Sequence, residues 1–392
     1  MPIHRESPMS RSCSFRFRSL CLGVLLASLA PLAAQADSCP TPGQWQVAEG
    51  KTQTTADLVA ELAETEVVLL GEQHDRLDHH RWQLHTLAAL HAHRTEMVIG
   101  LEMLPREAQS TLDAWVAGKL DEAAFLEQSD WHRAWGFDPD LYLPILHFAR
   151  MQRIPLLALN VTPELRGRLA TEGWEAVPES ERFGLTPPAP ARPAYRESLE
   201  EIYTEHIDRD DDPADLERFI AAQLVWDRAM ATALVDAAAD GSLVAGLLGE
   251  GHLADGDGVP YQLYDLGLRN YQSLLPWAPG PDCQPPLEKA DALYVLGDES
   301  AFQPPDPPRL GVMIDDHADG VRIDGISLGS VAEAANLAEG DVIVTAAGLP
   351  IEHPADLIAV VNRQAPGTLL PLEIRRDGEP QEVLARFPPV EP

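Results

Sequence analysis

The residues of this chain that could do chemistry are concentrated where one apolar segment ends. VVLLGEQHDRLDHH occupies positions 67–80, and its four apolar residues lead directly into Gly71, Glu72, Gln73 and His74. Three carboxylates and three histidines fall within positions 72–80. Carboxylates and imidazoles exchange protons and bind divalent metals. Such a cluster at the end of a buried strand therefore indicates a binding or catalytic site.

The same strand ending occurs twice in the chain. LLGEQH at 69–74 and LLGEGH at 247–252 are nearly identical, and each follows an apolar segment. In open α/β sheets, ligands bind beyond the carboxyl ends of the strands. We expect Gly71 and Gly249 to let the chain turn there. If the two strands run parallel, four side chains share one edge of the sheet, which we call the rim: Glu72, His74, Glu250 and His252.

Two histidines and several carboxylates at one edge are suited to a divalent metal. Glu102 ends the apolar segment VIGLE and is expected to face the rim, and His79 lies just beyond it. The predicted metal ligands are His74, His252, Glu102 and His79. Glu72 or Glu250 would then be free as a catalytic general base that activates water. The alternative is that the two glutamates cap helices and the histidines bond neighbouring loops.

A second kind of ligand chemistry lies further along the chain. Trp131, Trp135 and Phe137 bracket a glycine turn, and Tyr142 and His147 follow on a predicted helix. An aromatic surface beside a tyrosine or a histidine could hold haem, whose iron accepts either side chain as axial ligand. The alternative is that the aromatic residues belong to the core.

Strand and helix patterns alternate over the first 300 residues. Apolar segments lie at 66–70, 97–103, 154–160 and 242–252. Helices are predicted at 78–94, 105–117, 139–152 and 213–240. Short, almost fully apolar strands separated by helices predict an α/β fold with a mainly parallel sheet flanked by helices. Residues 173–212, which are rich in proline and acidic residues, are interpreted as a helical excursion or lid.

The first residues predict export. Residues 1–36 contain four arginines, an apolar core and an A-x-A site before Asp37, which is typical of a signal peptide cleaved near Ala36. We therefore expect a periplasmic or secreted protein. Lipoprotein anchoring is less favoured, because neither Cys21 nor Cys39 follows a good lipobox.

The net charge argues against some classes of binding partner, and the cysteines bear on the cellular compartment. The formal net charge is −33, from 29 basic and 62 acidic residues. This charge argues against nucleic acid and anionic lipid as partners. Cys39 and Cys283 remain after signal cleavage, and the sequence leaves open whether they form a disulfide or stay as two thiols.

The composition changes near residue 300. FQPPDPPR at 302–309 has four prolines and is interpreted as a stiff linker. Short alternating strands, glycine turns and one helix follow. The predicted organisation is a signal peptide at 1–36, an α/β domain at 37–298, a linker at 299–308 and a small β-rich domain at 309–388.

Taken together, the motifs of the α/β domain resemble those of the ChaN-like haem-binding proteins. The order is GE-x-H, HHRWQ, GLEM, YLPILHFA, IPLLALN and GEGH, over residues 45–298. This family shares a superfamily with the Tiki and TraB-type proteins. The resemblance implies an α/β fold, export, and haem or iron binding. For the Tiki branch it implies a metal-dependent peptidase whose paired GxxH motifs correspond here to Gly71 with His74 and Gly249 with His252, and whose acidic partner is Glu102.

The C-terminal domain resembles a PDZ domain of the bacterial protease type. RLGVMI at 309–314, the strands and turns of 320–351 and HPADLIAVVNR at 353–363 carry this resemblance. It implies that loop N–H groups bind the C-terminal carboxylate of a peptide, which adds a strand to the sheet. The predicted peptide-binding residues are Leu310, Gly311, Val312, Ile314, Leu357 and Val361. The alternative is a β-rich module whose groove is occluded.

Three functions follow from the sequence. The first is an exported haem- or iron-binding protein with a peptide-binding PDZ domain. The second is a metal-dependent hydrolase that uses the rim, and the third is a non-catalytic PDZ scaffold. The cofactor would be haem or a divalent metal, and the partners would be haem and a protein C-terminus. The sequence leaves open whether the chain is an enzyme and whether it forms a homodimer.

Overall fold

The computed structural model describes residues 39–206, 213–297 and 308–389. The predicted signal peptide at 1–36 and nearly all of the predicted linker at 299–308 lie outside these residues, as does the end of the predicted lid. Two separate sheets organise the described chain. One is large and mostly parallel, and the other is smaller and antiparallel.

The first sheet has eight strands and lies in the α/β domain. They are β1 (Trp45–Val47), β2 (Lys51–Gln53), β3 (Val67–Glu72), β4 (Met97–Pro105), β5 (Leu156–Asn160), β6 (Leu243–Gly249), β7 (Tyr271–Trp277) and β8 (Ala292–Val295). Their spatial order is β2-β1-β8-β7-β3-β6-β4-β5. All neighbours from β8 to β5 are parallel, whereas β1 pairs antiparallel with both β8 and β2.

Helices connect these strands. They are α1 (Thr55–Leu62), α2 (Leu77–His93), α3 (Gln109–Val116), α4 (Glu122–Gln128), α5 (Trp131–Ala134), α6 (Leu143–Gln152), α7 (Pro163–Thr171), α8 (Pro193–His206), α9 (Pro213–Ala238) and α10 (Val259–Asp265). Among the described helices, none is long and apolar enough to cross a membrane.

Both faces of the first sheet are covered by helices. In β3, Val68 and Leu70 pack into one core with residues of α2 and α6, and Val67 and Leu69 pack into another with residues of α9. All four side chains are fully buried. Truncating a buried leucine to alanine typically costs ~2–5 kcal/mol, so these faces contribute strongly to stability. The unbroken apolar run of β3 therefore follows from burial on both sides.

The predicted α/β class with a mainly parallel sheet is confirmed, and the differences are local. The apolar segment 242–252 stops being a strand at Gly249, and Glu250–His252 form a 3-10 turn. The helix predicted at 139–152 is divided into a 3-10 turn, Pro139–Leu141, and α6. The sequence analysis missed β1 and β2, because three-residue strands have too little periodicity to stand out.

The second sheet forms the β-rich domain. Its strands are β9 (Val312–His317), β10 (Gly320–Ile326), β11 (Val342–Ala346), β12 (Leu349–Pro350), β13 (Leu369–Arg376) and β14 (Glu379–Arg386), with helices α11 (Val331–Ala334) and α12 (Pro354–Asn362). The order is β14-β13-β11-β10-β9, and β12 pairs with β11. All pairs are antiparallel. This arrangement leaves β9 at an edge of the sheet.

A disulfide joins Cys39 to Cys283 across 244 positions of sequence. It connects the segment before β1 to the segment before β8, and β1 and β8 are themselves paired. The question that the sequence left open is thus answered in favour of a disulfide. The bond closes nearly the whole α/β domain into one covalent loop, which restricts the unfolded chain.

Candidate functional site

The rim is formed by the ends of adjacent parallel strands. Glu72 at the end of β3 lies opposite Gly249 at the end of β6. The other neighbour of β6 is β4, which contributes Glu102. The structure therefore brings the two copies of the repeated strand ending to one edge of the sheet, as the repeat predicts, together with Glu102.

A buried carboxylate holds the first rim histidine. Glu72 is 1% exposed, and its Oε1 accepts hydrogen bonds from His74 Nδ1 at 3.0 Å and from the Tyr142 hydroxyl at 2.7 Å. His80 Nδ1 lies 3.1 Å from the other oxygen. Burial would raise the pKa of Glu72, but the hydrogen bond from His74 and the close approach of the His80 ring outweigh it and lower the pKa to about 2. Glu72 is thus a weak proton acceptor at neutral pH, which suits positioning better than general base catalysis.

A second buried carboxylate repeats this arrangement on the other rim histidine. Asp227 of α9 lies with Oδ1 2.6 Å from His252 Nδ1, and its Oδ2 accepts a 2.8 Å hydrogen bond from the Tyr195 hydroxyl. Burial lowers the pKa of His252, but the charge of Glu102 and the hydrogen bond and charge of Asp227 more than reverse this effect, raising the pKa to about 9. His252 is therefore an imidazolium at neutral pH.

Glu102 lies between the two histidines and is 1% exposed. Its Oε2 accepts a 2.6 Å hydrogen bond from the Gly249 N–H. Its Oε1 lies 3.4 Å from His252 Nε2 without hydrogen-bond geometry, so this buried oxygen has no hydrogen-bond partner among the described residues. The ring of His74 packs directly on Gly249. A Cβ built on Gly249 would lie 3.0 Å from His74 Nε2 and 3.7 Å from Glu102 Oε2, so Gly249 lies beside both groups.

The two strand-end glycines serve close packing rather than the turn that we predicted. Gly249 has φ −59° and ψ 138°, which any residue can adopt. A Cβ at this position would lie 2.7 Å from His74 Cε1, so alanine would displace the imidazole. A Cβ on Gly71 would lie 2.3 Å from Leu275 Cδ2. The missing side chains therefore make room for a rim histidine and for the core.

The remaining predicted rim residues both bond Gln73. The N–H of Gln73 donates to His79 Nδ1 at 3.0 Å, and burial lowers the pKa of His79 to about 4. His79 is therefore neutral, with one ring nitrogen already occupied. The Gln73 side-chain amide donates to Glu250 Oε1 at 2.9 Å near the surface. Glu250 therefore lies outside the buried cluster that contains Glu72, although the two glutamates occupy equivalent positions in the repeated motif.

Among the described residues, no group of three or more His, Cys, Asp or Glu side chains is arranged to hold a metal ion.

Aromatic residues at the start of α5 and just after it lie beside the rim. The rings of Trp135 and Phe137 have centroids 4.6 and 5.0 Å from that of His74. Trp131 is fully buried, and its indole N–H donates to the Phe137 carbonyl at 2.9 Å. The sequence left open whether these aromatic residues form a ligand-binding surface or belong to the core. In the structure Trp131 lies in the core, whereas Trp135 and Phe137 lie beside the rim.

The two predicted iron ligands lie in different environments. Tyr142 is 2% exposed, and burial together with the charge of Glu72 raises the pKa of its hydroxyl above the ordinary value. Binding iron as a phenolate would require it to leave Glu72. The side chain of His147 is 45% exposed, and its Nε2 lies 2.8 Å from Glu122 Oε1. Their roles as iron ligands stay predictions.

An open groove of about 800 Å³ lies between α2 and α6, away from the strand ends. Its walls combine apolar residues with two histidines and two arginines. The lining residues are Leu84, His85, Ala88, Val116, Gly118, Pro144, His147, Phe148, Arg150, Met151 and Arg153. We call this the α2–α6 groove.

Sequence reasoning missed Asp227 and Tyr195. Asp227 lies in the run FIAAQLVWDRAMATALV, at 219–235, which is otherwise mostly apolar. A carboxylate within an apolar helix is buried only when it is paired, so its position was a usable signal of a polar partner. Tyr195 carried no comparable signal, because only the packing of α8 against α9 brings it to Asp227.

The predicted peptide-binding strand of the second domain has a free edge. β9 is the edge strand, and its residues alternate, with Val312 and Ile314 half-buried and Met313 65% exposed. Leu357 and Val361 of α12 are buried in the same core. An edge strand beside an apolar helix face is the geometry that strand addition by a peptide requires.

The loop before this strand depends on glycine. Gly311 has φ 80°, in the left-handed region, and a Cβ there would lie 2.3 Å from Ser330 Cβ. Leu310 is 3% exposed and anchors the loop in the core. The predicted carboxylate-binding loop is therefore held in a shape that only glycine allows.

Comparison with known proteins identifies both domains. A family model described as haem-binding uptake, Tiki superfamily, ChaN, matches residues 58–263. A PDZ-domain model matches residues 308–385. No curated protein sequence matches the chain.

Solved structures are similar to parts of the chain. A structure of ChaN of Campylobacter jejuni with cofacial haem binding has a TM-score of 0.53 and 18% identity, covering 64% of this chain and 95% of that one. A serine endoprotease from Yersinia pestis has a TM-score of 0.20 and 20% identity, covering 22% of this chain and 30% of that one. At these identities the first likeness shows the fold alone. Because the ChaN model matches more than half of its residues, the chain belongs to the ChaN-like haem-binding family of the Tiki superfamily, and a PDZ domain follows its haem-binding domain.

Proposed function

We propose that this protein is exported, carries haem on its ChaN-like domain and holds a partner protein through its PDZ domain. The observation that carries the proposal is the match to the haem-binding family over residues 58–263. The solved relative from Campylobacter jejuni binds haem cofacially, which supports the same ligand here. Iron uptake would follow if the partner receives or delivers that haem.

The described residues fit what haem requires. Haem needs an apolar surface for its porphyrin, a His, Tyr, Met or Cys ligand for its iron, and cations or N–H donors for its two carboxylates. When bound, it would supply a redox-active iron, while the protein supplies the surface, the ligand and the charges. The α2–α6 groove contains all three kinds of group: apolar Leu84 and Phe148, imidazoles His85 and His147, and cations Arg150 and Arg153.

Export is supported by two independent observations. Residues 1–36 have the features of a signal peptide, and cleavage near Ala36 would release a periplasmic or secreted protein. The disulfide between Cys39 and Cys283 is of the kind that persists in oxidising compartments outside the cytoplasm. Lipid anchoring through Cys39 would be incompatible with this disulfide, because the same sulfur cannot do both.

The PDZ domain is proposed to bind a free protein C-terminus with an apolar last residue. The edge strand β9 and the apolar face of α12 would hold the peptide, and the Gly311 loop would hold its carboxylate. Leu357 and Val361 make the end of that groove apolar. The sequence left open whether the chain forms a homodimer, and its oligomeric state measured with and without haem would answer this.

The test of the proposed function is a haem titration of the mature chain, residues 37–392, followed by the Soret band. We expect a saturable change that is absent when the same protein is unfolded in urea. A band that grows linearly without saturation, and is equal in folded and unfolded protein, would reject haem as the ligand.

One observation favours a metal-dependent hydrolase as the second candidate. His74 and His252 are each held through Nδ1 by a buried carboxylate, which leaves the Nε2 atom of each ring for another partner, and His252 Nε2 lies 3.4 Å from Glu102 Oε1. Such a carboxylate–histidine pair fixes the ring nitrogen that binds a metal. Glu102 Oε1, which is buried without a hydrogen-bond partner among the described residues, would be the third ligand. The three side chains would have to move to reach one metal ion, because the described residues hold no ready-made group of three ligands.

The metal would have to displace an ion pair. His252 has a raised pKa, so a metal must release its proton before Nε2 can bind. Metal analysis of protein purified without chelators tests this candidate. We expect one divalent metal per chain if the rim is a metal site, and His74→Ala should lose it while His93→Ala, an exposed change on α2, keeps it. Metal-free protein that also fails to bind added Zn²⁺ would end this candidate.

A further inference from the structure

We propose that the PDZ domain selects protein C-termini whose fifth residue, counted back from the end, is a lysine or an arginine, and that Asp316 binds this cation. This inference rests on the proposed binding of a free C-terminus and adds the chemistry that distinguishes the partner.

The position of a bound peptide along β9 follows from where its carboxylate is held. The Gly311 loop precedes β9, so a carboxylate held there lies at the start of the strand. The rest of the peptide then runs antiparallel to β9 along its free edge, towards His317. Both chains advance by about 3.4 Å per residue. Because Asp316 comes four residues after Val312, it lies beside the peptide residue that is four positions before the last.

The Asp316 side chain faces the groove between β9 and α12. Side chains alternate along a strand, so Asp316 shares a face with Val312 and Ile314. Its Oδ1 lies 3.1 Å from Nδ1 of His353, the residue that immediately precedes α12. Opposite residues of neighbouring strands project to the same face. The fifth residue from the end of the peptide therefore projects towards the Asp316 carboxylate.

This position already holds a group of the protein that can carry positive charge. The hydrogen bond to Asp316 raises the pKa of the His353 imidazole above its ordinary value, although the charge of Arg133 opposes this. The side chains of His353 and Asp316 are 56% and 68% exposed, and such exposed pairs contribute little to stability. A peptide ammonium or guanidinium can therefore share the carboxylate or replace the imidazole.

The charge of the surrounding domain also favours a cationic peptide. Residues 309–388 contain 13 acidic and 6 basic side chains, so the domain attracts positive charge from a distance. Asp315, the neighbour of Asp316, lies 3.5 Å from Arg322 of β10, and Arg322 is itself paired with Asp324. This arginine is thus already neutralised by two carboxylates and leaves Asp316 available to the peptide.

The first experiment measures the affinity of the mature chain, residues 37–392, for labelled ten-residue peptides by fluorescence polarisation. The peptides end in valine, leucine or phenylalanine, and each is made with lysine, alanine or glutamate as the fifth residue from the end. We expect lysine to bind roughly two- to fivefold more tightly than alanine, the range of an exposed ion pair, and glutamate to bind more weakly than alanine. Salt at about 1 M should reduce these differences, because it screens exposed charges.

The second experiment repeats the measurement on variants of the chain. Asp316→Asn should abolish the preference for lysine, and Asp316→Lys should reverse it in favour of glutamate. His353→Asn removes the competing imidazole but keeps a residue that caps helices well, so the preference should widen. Glu382→Gln is the matched control, since Glu382 is exposed on β14 at the opposite edge of the sheet, and it should behave as wild type.

The outcomes separate this inference from the proposed function. If no peptide binds, or if amidating the C-terminus of a binding peptide leaves its affinity unchanged, the proposed peptide binding is wrong and this inference falls with it. If the peptides bind through their carboxylates but lysine, alanine and glutamate give equal affinities, the selectivity is wrong and peptide binding stands. A preference for lysine that survives Asp316→Asn would overturn Asp316 as the residue that binds the cation. Circular dichroism of each variant establishes that it is folded.

Discussion

Asp227→Asn should weaken the α/β domain in a pH-dependent way. The folded-state pKa of His252 is about 9 against 6.5 for a free imidazole, so the difference of about 2.5 units corresponds to about 3 kcal/mol at 1.36 kcal/mol per unit. Because the folded pKa is raised, this stability is fully present below pH 6.5 and is lost as the pH rises through 9. Glu102 contributes part of it, so we expect Asp227→Asn to remove about 1–3 kcal/mol at pH 6.5. Tyr195 can still donate a hydrogen bond to the amide oxygen of asparagine. The substitution therefore mainly affects the interaction with His252.

The assay is urea unfolding of the oxidised protein between pH 6 and 9, followed by tryptophan fluorescence. All eight tryptophans precede residue 298, so the signal reports the α/β domain and not the PDZ domain. Asp236→Asn is the control, because Asp236 is exposed on the same helix. In wild type and control, the free energy of unfolding should decline from pH 6.5 to 9 more steeply than in Asp227→Asn. Equal slopes in all three proteins would refute the ion pair as the source of the shift.

Three further predictions concern other parts of the chain. Reducing the Cys39–Cys283 disulfide should lower the free energy of unfolding by about 2–5 kcal/mol in the same fluorescence assay, and a Cys39→Ala, Cys283→Ala double variant should give the same loss without reductant. Amidating the C-terminus of a peptide that binds the PDZ domain should abolish binding measured by calorimetry, because the loop N–H groups lose a charged acceptor; unchanged affinity would contradict that mode. N-terminal sequencing of the exported protein should begin at Asp37, whereas an acylated cysteine would show a lipoprotein.

The parts of the fold that could be predicted are those with local periodicity. The apolar runs at 66–70 and 242–252 became adjacent parallel strands, and a repeated string of six residues was enough to place His74 and His252 at one edge. That inference needed only the rule that parallel strands end at the same side of a sheet. The short strands β1 and β2 had no such pattern and were missed.

The electrostatics of the site could not be predicted, because they depend on helices that are distant in sequence. Asp227 and Tyr195 reach His252 only through the packing of α9 and α8, and nothing in the GEGH motif specifies a partner. The two copies of the motif therefore looked equivalent in sequence. In the structure Glu72 is buried and ionised, whereas Glu250 bonds Gln73 near the surface. Equal sequence did not produce equal burial, and burial decides the chemistry of a carboxylate.

The rim and the α2–α6 groove use the same two helices, which decides how mutations must be interpreted. Near the start of α2, His80 contacts Glu72, and His85 lines the groove five residues later. Tyr142 immediately precedes α6 and bonds Glu72, whereas His147 on α6 lines the groove. A ligand in the groove would stabilise both helices, and hence the groups that hold Glu72. Conversely, Tyr142→Phe would remove the hydrogen bond to Glu72 just before α6, so it would disturb the groove as well as the rim. A loss of affinity in that variant alone therefore cannot locate the haem.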